Sequence, residues 1–198
     1  MTSVKELIIL DEEDVYNEEL ADTSIKEQEI KNKTLKQISF TKVELTESIY
    51  TNVFFESITF EKCDLSNTKF IDCSFRKVTI NDSKLIGTNF VNCHMTEVTI
   101  TNSKCRYLNL IDLKSKQLTI KDSDLTESSF YNVELLKFKT DNTNYNKTEF
   151  VETPLANQDF SKCDIIGIRI DYKCLKGIKV NSLQALDLVR LLEINIIE

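Results

Sequence analysis

Six cysteines and one histidine are the side chains of this 198-residue sequence best suited to nucleophilic, redox or metal chemistry. Cys63, Cys73, Cys93, Cys105, Cys163 and Cys174 include no C-x-x-C pair, and His94 has no second imidazole to share a metal with, so the spacing of a zinc site is missing. The 32 acidic residues lie along a repeating pattern that implies no pocket in which two carboxylates would face each other for acid–base work. Three glycines and one proline leave no phosphate-cradling loop or dinucleotide fingerprint. No catalytic residue, metal site or cofactor is expected, and the chain is expected not to be an enzyme.

What the sequence does is repeat. Every residue numbered by a multiple of five from Leu20 to Val180 is apolar except Ser115 and Thr140, which is 31 of 33 positions against the 41% apolar content of the whole chain. Nine of the eleven phenylalanines fall in this register. Two residues before each centre stands a second inward position, held by Val, Ser, Thr or Cys in 20 of 33 cases. Period five fits neither a helix nor a flat strand. One large and one small inward residue per five describes a chain that turns a corner every pentapeptide. The centres then stack on an axis and the small residues fill the corners.

A second period sets the number of sides. Thr59, Thr79, Thr99 and Thr119 recur every 20 residues, as do Asn52, Asp72, Asn92, Asp112 and Asn132 at a polar corner. Four pentapeptides per turn give about eight coils and a rod about 40 Å long at the ~4.8 Å strand spacing. On this pattern four cysteines (63, 73, 93 and 163) take the small inward position, Cys105 is a centre and Cys174 flanks one. Cys73 and Cys93 lie one coil apart on the same side, within reach of a bridge, but all six are expected as reduced core residues. Ser115 and Thr140 are expected weak points, and bulky Leu113, Leu118 and Phe138 at small positions mark places for the wall to bulge. His94 is expected outside, in water.

Segments such as Cys63-Asp64-Leu65-Ser66-Asn67, Thr88-Asn89-Phe90-Val91-Asn92 and Ser123-Asp124-Leu125-Thr126-Glu127 resemble the pentapeptide-repeat family, whose pattern is Ala-(Asp/Asn)-Leu-X-X. The resemblance covers residues 18–182. It implies an all-β fold, a right-handed quadrilateral β-helix, here followed by a short C-terminal α-helix. Three segments are expected: an acidic N-terminal segment or first-coil cap (1–17), the repeat solenoid (18–182), and a C-terminal capping and dimerisation helix with a tail strand (183–198).

After Val180 the period stops, and residues 182–192 read as a helix with Ser182 as N-cap and a narrow polar stripe of Gln184, Asp187 and Arg190. The remaining surface is apolar over an arc too wide for covering a coil end alone. A homodimer interface is expected from Leu183, Leu186, Leu188, Val189, Leu191 and Leu192, with Ile196 in a pairing tail strand; a helix folded over the last coil of a monomer is the alternative. This ending also resembles the Qnr/MfpA-type, topoisomerase-protecting branch of the family, which implies binding to DNA gyrase or topoisomerase IV as a mimic of DNA.

The charge gives that implication mixed support. The net charge is −7, but residues 1–30 hold ten acids and two lysines, leaving 22 acids and 23 basic residues in the rest. Acidity therefore concentrates in Asp11, Glu12, Glu13, Asp14, Glu18, Glu19 and Asp22, a candidate partner-binding patch. One wall, with Lys33, Lys36, Arg76, Lys77, Lys114, Lys116, Lys173 and Lys176, sums to about +6. The alternative function is a scaffold that binds another protein through one wall. Direct nucleic-acid binding is not expected, for want of aromatic interleaving and of net positive charge. No stretch suits a membrane span, and MTSVKELIILDEED lacks the marks of an export signal, so a cytoplasmic location is expected.

Overall fold

The computed structural model of the chain describes residues 4–10, 14–189 and 191. Its body is a parallel β-solenoid in which every strand partner lies 20 residues away, as in Phe55 beside Phe75 and Phe90 beside Leu110. The period of five is thus one side of a coil and the period of 20 one full turn. The four walls are named here by the centres of one coil: Phe55, Phe60, Leu65 and Phe70. The Phe55 and Phe60 walls merge into one 11-stranded sheet, because Ser74–Asn81, His94–Thr101 and Lys114–Lys121 run as eight-residue strands around the corner between them. The Phe70 wall is a separate eight-stranded sheet. The Leu65 wall is held by isolated bridges such as Asp64 to Lys84, each followed by a tight turn like that from the Leu65 carbonyl to the Thr68 amide at 3.1 Å.

The corners explain the polar residue two places after each centre. From Asn17 to Asn157 these residues adopt positive φ, between +43° at Asn142 and +65° at Asn157 where they are not glycine. That left-handed conformation costs an ordinary residue about 1–2 kcal/mol and costs Asn or Asp less. Corner side chains also bond along the stack. Asn52 donates to Asn32 at 2.8 Å, Asn92 to Asp72 at 2.6 Å and Asn132 to Asp112 at 2.7 Å. Gly87 takes a corner where an added Cβ would sit 2.7 Å from the Asn67 side-chain oxygen.

Inside, the aromatic centres form two columns that meet edge to face. Phe70 stacks on Tyr50 and Phe90 at 5.1 and 4.9 Å, Phe55 stacks on Phe75 at 4.8 Å, and Phe55 meets Phe70 edge-on at 5.6 Å. The small inward residues do more than fill space. Ser48, Thr68, Thr88, Ser128 and Thr148 donate to the carbonyl of the centre 23 residues earlier, at 2.7–2.9 Å. Cys63, Cys73 and Cys93 make the same contact through Sγ to Phe40, Tyr50 and Phe70 at 3.3–3.4 Å. All six cysteines are free and buried, and desolvation pushes the Cys63 and Cys105 thiols up, away from the reactive thiolate.

The interruptions are absorbed without a bulge at Ser115, which is buried in an unbroken strand and donates to the Glu134 carbonyl at 3.0 Å. Leu113 and Leu118 are buried beside it. Thr140 is half-buried, 2.9 Å from the Tyr145 hydroxyl and 3.6 Å from Cys163 Sγ, and Leu135 nearby is also only half-buried. The wall is therefore weaker at Thr140 than at Ser115.

Helices stand at both ends. Helix α1, Val4–Leu10, lies in the segment expected as an acidic cap, and it buries Ile8 against the core with Leu7 and Ile9 partly covered. Helix α2, Tyr172–Leu175, replaces a strand of the last coil, and Lys173, two places before its centre, is exposed where most repeats turn a small residue inward. Helix α3, Ser182–Val189, follows. No described helix is long and apolar enough to cross a membrane.

Candidate functional site

The C-terminal end is built by a reciprocal cap. Asn181 Oδ1 accepts from the Gln184 amide at 3.0 Å, and Gln184 Oε1 accepts from the Asn181 amide at 2.8 Å. Asn181, and not Ser182, is the N-cap. Gln184 does not join a solvent-facing stripe either. It is 7% exposed, and its Nε2 donates to the Phe160 and Cys163 carbonyls at 2.9 and 2.5 Å, giving the Cys163 carbonyl a donor and the Phe160 carbonyl a second one beside the Cys163 amide at 2.9 Å. The sequence held the signal, since Asn181-x-x-Gln184 is a capping-box spacing.

The residues expected to bind a second copy divide around that cap. Leu188 joins the chain's own core and Val189 is half-buried. Leu183 and Leu186 stand 77% and 51% exposed, and Leu191 is exposed beyond the helix. Leu192 and Ile196 lie outside the described residues.

At the other end Asp14, Glu18, Glu19 and Asp22 sit on the first coil, while Asp11, Glu12 and Glu13 lie outside the described residues. Asp14 is structural as well as acidic. Its Oδ1 accepts from the Thr34 amide at 2.6 Å, a role taken one and two coils later by the Lys33 and Val53 carbonyls, and Tyr16 donates to its Oδ2 at 2.9 Å. The Thr34 amide is the main reason the Asp14 carboxyl is held below its ordinary range. Asp22 pairs with Lys42 at 3.5 Å.

The basic wall is less basic than its sequence count. Lys33 is 5% exposed, and its ammonium donates to the Leu7 and Ile8 carbonyls at 2.6 and 3.1 Å, closing the C-terminal part of α1. Lys36 and Arg76 both pair with Glu56, whose carboxyl is pulled down by hydrogen bonds from Arg76 first and Lys36 second. Lys114 pairs with Glu134 at 3.5 Å. Lys77, Lys116, Lys173 and Lys176 are exposed. His94 is exposed on its strand, and among the described residues no three His, Cys, Asp or Glu side chains cluster as metal ligands. Beside Thr140 lies an open trough lined by Lys121, Phe138, Lys139, Asp141 and Lys162 among others, with ammonium and carboxylate groups intermixed.

Residues 53–130, the most regular part of the stack, match the family model described as a pentapeptide repeat region. Over that stretch the chain is similar to a pentapeptide repeat. Among solved structures it is similar to a trypsin-treated variant of QnrB1, a plasmid-mediated fluoroquinolone resistance protein, at 14% identity with a TM-score of 0.54, over 94% of this chain and 99% of that one. A second similar structure is HetL, a pentapeptide repeat protein involved in heterocyst differentiation regulation from the cyanobacterium Nostoc, at 12% identity and a TM-score of 0.42, over 87% of this chain and 89% of that one. At these identities the likeness to QnrB1 is one of fold. No curated protein matches in sequence. The pentapeptide-repeat solenoid accounts for the four walls and about eight coils.

Proposed function

We propose that this chain is a non-enzymatic binding protein that docks on a type II topoisomerase, DNA gyrase or topoisomerase IV, in place of duplex DNA, and so protects it from quinolones or a gyrase-poisoning toxin. The observation that carries the reading is the correspondence with the QnrB1 fold over 94% of this chain and 99% of that one. Two features of the chain agree with it. Exposed Leu183, Leu186 and Leu191 suit a two-fold joint that would double the length of the rod. The acidic residues of the first coil would then mark both far tips.

A second reading, a scaffold that binds another protein through a wall, is favoured by a different observation. Lys36, Arg76 and Lys114 are neutralised by Glu56 and Glu134, and a DNA mimic should be acidic along its length.

A gyrase supercoiling assay with ciprofloxacin, titrated with wild type and with a Leu183→Glu, Leu186→Glu variant, decides between them. Restoration of supercoiling by wild type at micromolar concentration, and at least about tenfold weaker restoration by the variant, supports the topoisomerase reading. No restoration by wild type, with gyrase and with topoisomerase IV, overturns it in favour of the scaffold.

A further inference from the structure

The outward residues of a solenoid wall meet water, and on three walls they are mostly polar. The Phe70 wall departs from this. The outward residues that follow its centres are Ile71, Val91, Ile111, Tyr131 and Val151, apolar on five consecutive rungs. Each lies beside the next as a register partner, so they form one ridge about 19 Å long. Tyr131 is 43% exposed and the other four are half-buried. Neither outward row of the other three walls has more than two apolar residues in succession.

The outward charges of this wall are Glu29, Lys31, Lys69, Glu149, Arg169 and Asp171, and those of the two end rungs stand in opposite order, Glu29 and Lys31 being paired with each other at 2.7 Å. The first rung carries Glu29 and Lys31 at the two outward positions, and the last carries Arg169 and Asp171 at the same two. We propose that the Phe70 wall is a self-association surface that receives the same wall of a second copy, running in the opposite direction about a two-fold axis between the Phe90 and Leu110 rungs. That axis lies at the midpoint of the wall, so all eight rungs overlap, about 34 Å.

The centre of the ridge then meets itself: Val91 faces Ile111 of the second copy, and Ile71 faces Tyr131. Val151, the outermost ridge residue, faces Thr51 and its methyl group. Glu29 faces Arg169 and Lys31 faces Asp171 at both ends, and inside them Ile49 faces Glu149, the one apolar-to-charge pair of the outward rows. At the corner row Asp112 faces Asn92 and Asp72 faces Asn132, so each of these carboxylates has an amide opposite. Sliding the copies by one rung destroys this match. One direction brings Asp112 onto its own copy and Asp72 onto Glu152; two rungs in that direction bring Lys69 onto Arg169. The surface is independent of the C-terminal helix and of the topoisomerase reading. A strip one pentapeptide side wide buries less than the about 1,600 Å² of a standard interface, so the association is expected to be weak and reversible.

Sedimentation equilibrium tests this on the full chain carrying Leu183→Glu, Leu186→Glu and Leu191→Glu, which removes the contribution of the exposed leucines of the C-terminal end. A reversible dimer in that background, weakened at least about tenfold by Ile111→Glu, supports the wall. Lys31→Asp should weaken it less, and adding Asp171→Lys should restore it. Register is read by mild oxidation, because the native cysteines are all buried. A Val91→Cys chain mixed with a mass-tagged Ile111→Cys chain should cross-link as the mixed dimer more readily than either variant alone. A chain that stays monomeric to about 1 mM, or an association unchanged by Ile111→Glu while circular dichroism shows the fold intact, overturns the proposal. Neither outcome touches the supercoiling result.

Discussion

The two ends of the solenoid close by opposite arrangements of the same chemistry. At the N-terminal end the coil reaches outward: buried Lys33 extends from the second coil to the Leu7 and Ile8 carbonyls of α1. At the C-terminal end the helix reaches inward: Gln184 extends from α3 to the Phe160 and Cys163 carbonyls of the last coil. Both supply side-chain donors to backbone carbonyls at a stack end, where a buried carbonyl without a donor costs about 1–3 kcal/mol. The ends differ in what is left over. Helix α1 buries or half-buries Leu7, Ile8 and Ile9, whereas α3 leaves Leu183 and Leu186 in water. Among the described residues, one end covers its apolar side chains and the other leaves an apolar surface exposed.

The largest effect should come from Gln184→Leu. The substitution keeps the volume roughly constant, removes both donor bonds to the coil and takes away the Asn181 amide's acceptor while the residue-184 amide keeps its bond to Asn181 Oδ1, so the last coil should lose roughly 2–4 kcal/mol of local stability. Hydrogen exchange of the amides that pair with the last coil, such as Tyr145 and Lys147, reads this directly. Because a repeat stack opens locally, exchange in the middle coils should change little. Equal loss of protection in the middle and at the end would show that the cap is not a local device.

Lys33→Met should come next, at about 1.5–3 kcal/mol, since a charged donor bonded to two carbonyls is lost while the aliphatic stem remains. The loss should be confined to α1 and the first two coils, leaving the C-terminal end at wild-type protection. Unchanged exchange of the Leu7 and Ile8 neighbourhood would mean that burial of Ile8, and not the ammonium, holds the helix.

The interior was open to sequence reading because it repeats: one position in five must be large and apolar, and the deviation of Ser115 or Thr140 is visible against 31 agreeing neighbours. The ends do not repeat, and there the same residue types change meaning. Lys33 reads as one more surface charge and Gln184 as part of a polar stripe, because long polar side chains usually meet water. At a stack end the open groups are backbone carbonyls, which no residue letter records. Helix α1 was hidden for a related reason, as seven residues are too few for a helical period to stand out and its stability comes from packing on the coil. Asn181 and Gln184 carried a legible capping-box spacing, but Ser182 beside them competed for the N-cap.

The smallest effect separates the ends by pH. Asp14 supplies the acceptor for the Thr34 amide, and that bond is the first cause of its lowered carboxyl pKa, with Tyr16 adding a second hydrogen bond. A carboxylate whose folded pKa is depressed stabilises the fold fully above its unfolded value of about 3.9, and the contribution disappears as pH falls through the lower folded value. Asp14→Asn keeps an acceptor for Thr34 and removes the charge. The difference in first-coil protection between wild type and this variant should therefore be constant above about pH 5 and should shrink toward zero below about pH 4. The corresponding difference for Gln184→Leu should not follow that curve, because the amide does not titrate. Parallel curves at the two ends would show that Asp14 acts by shape alone, and that the acidic character of the first coil is not used to hold it closed.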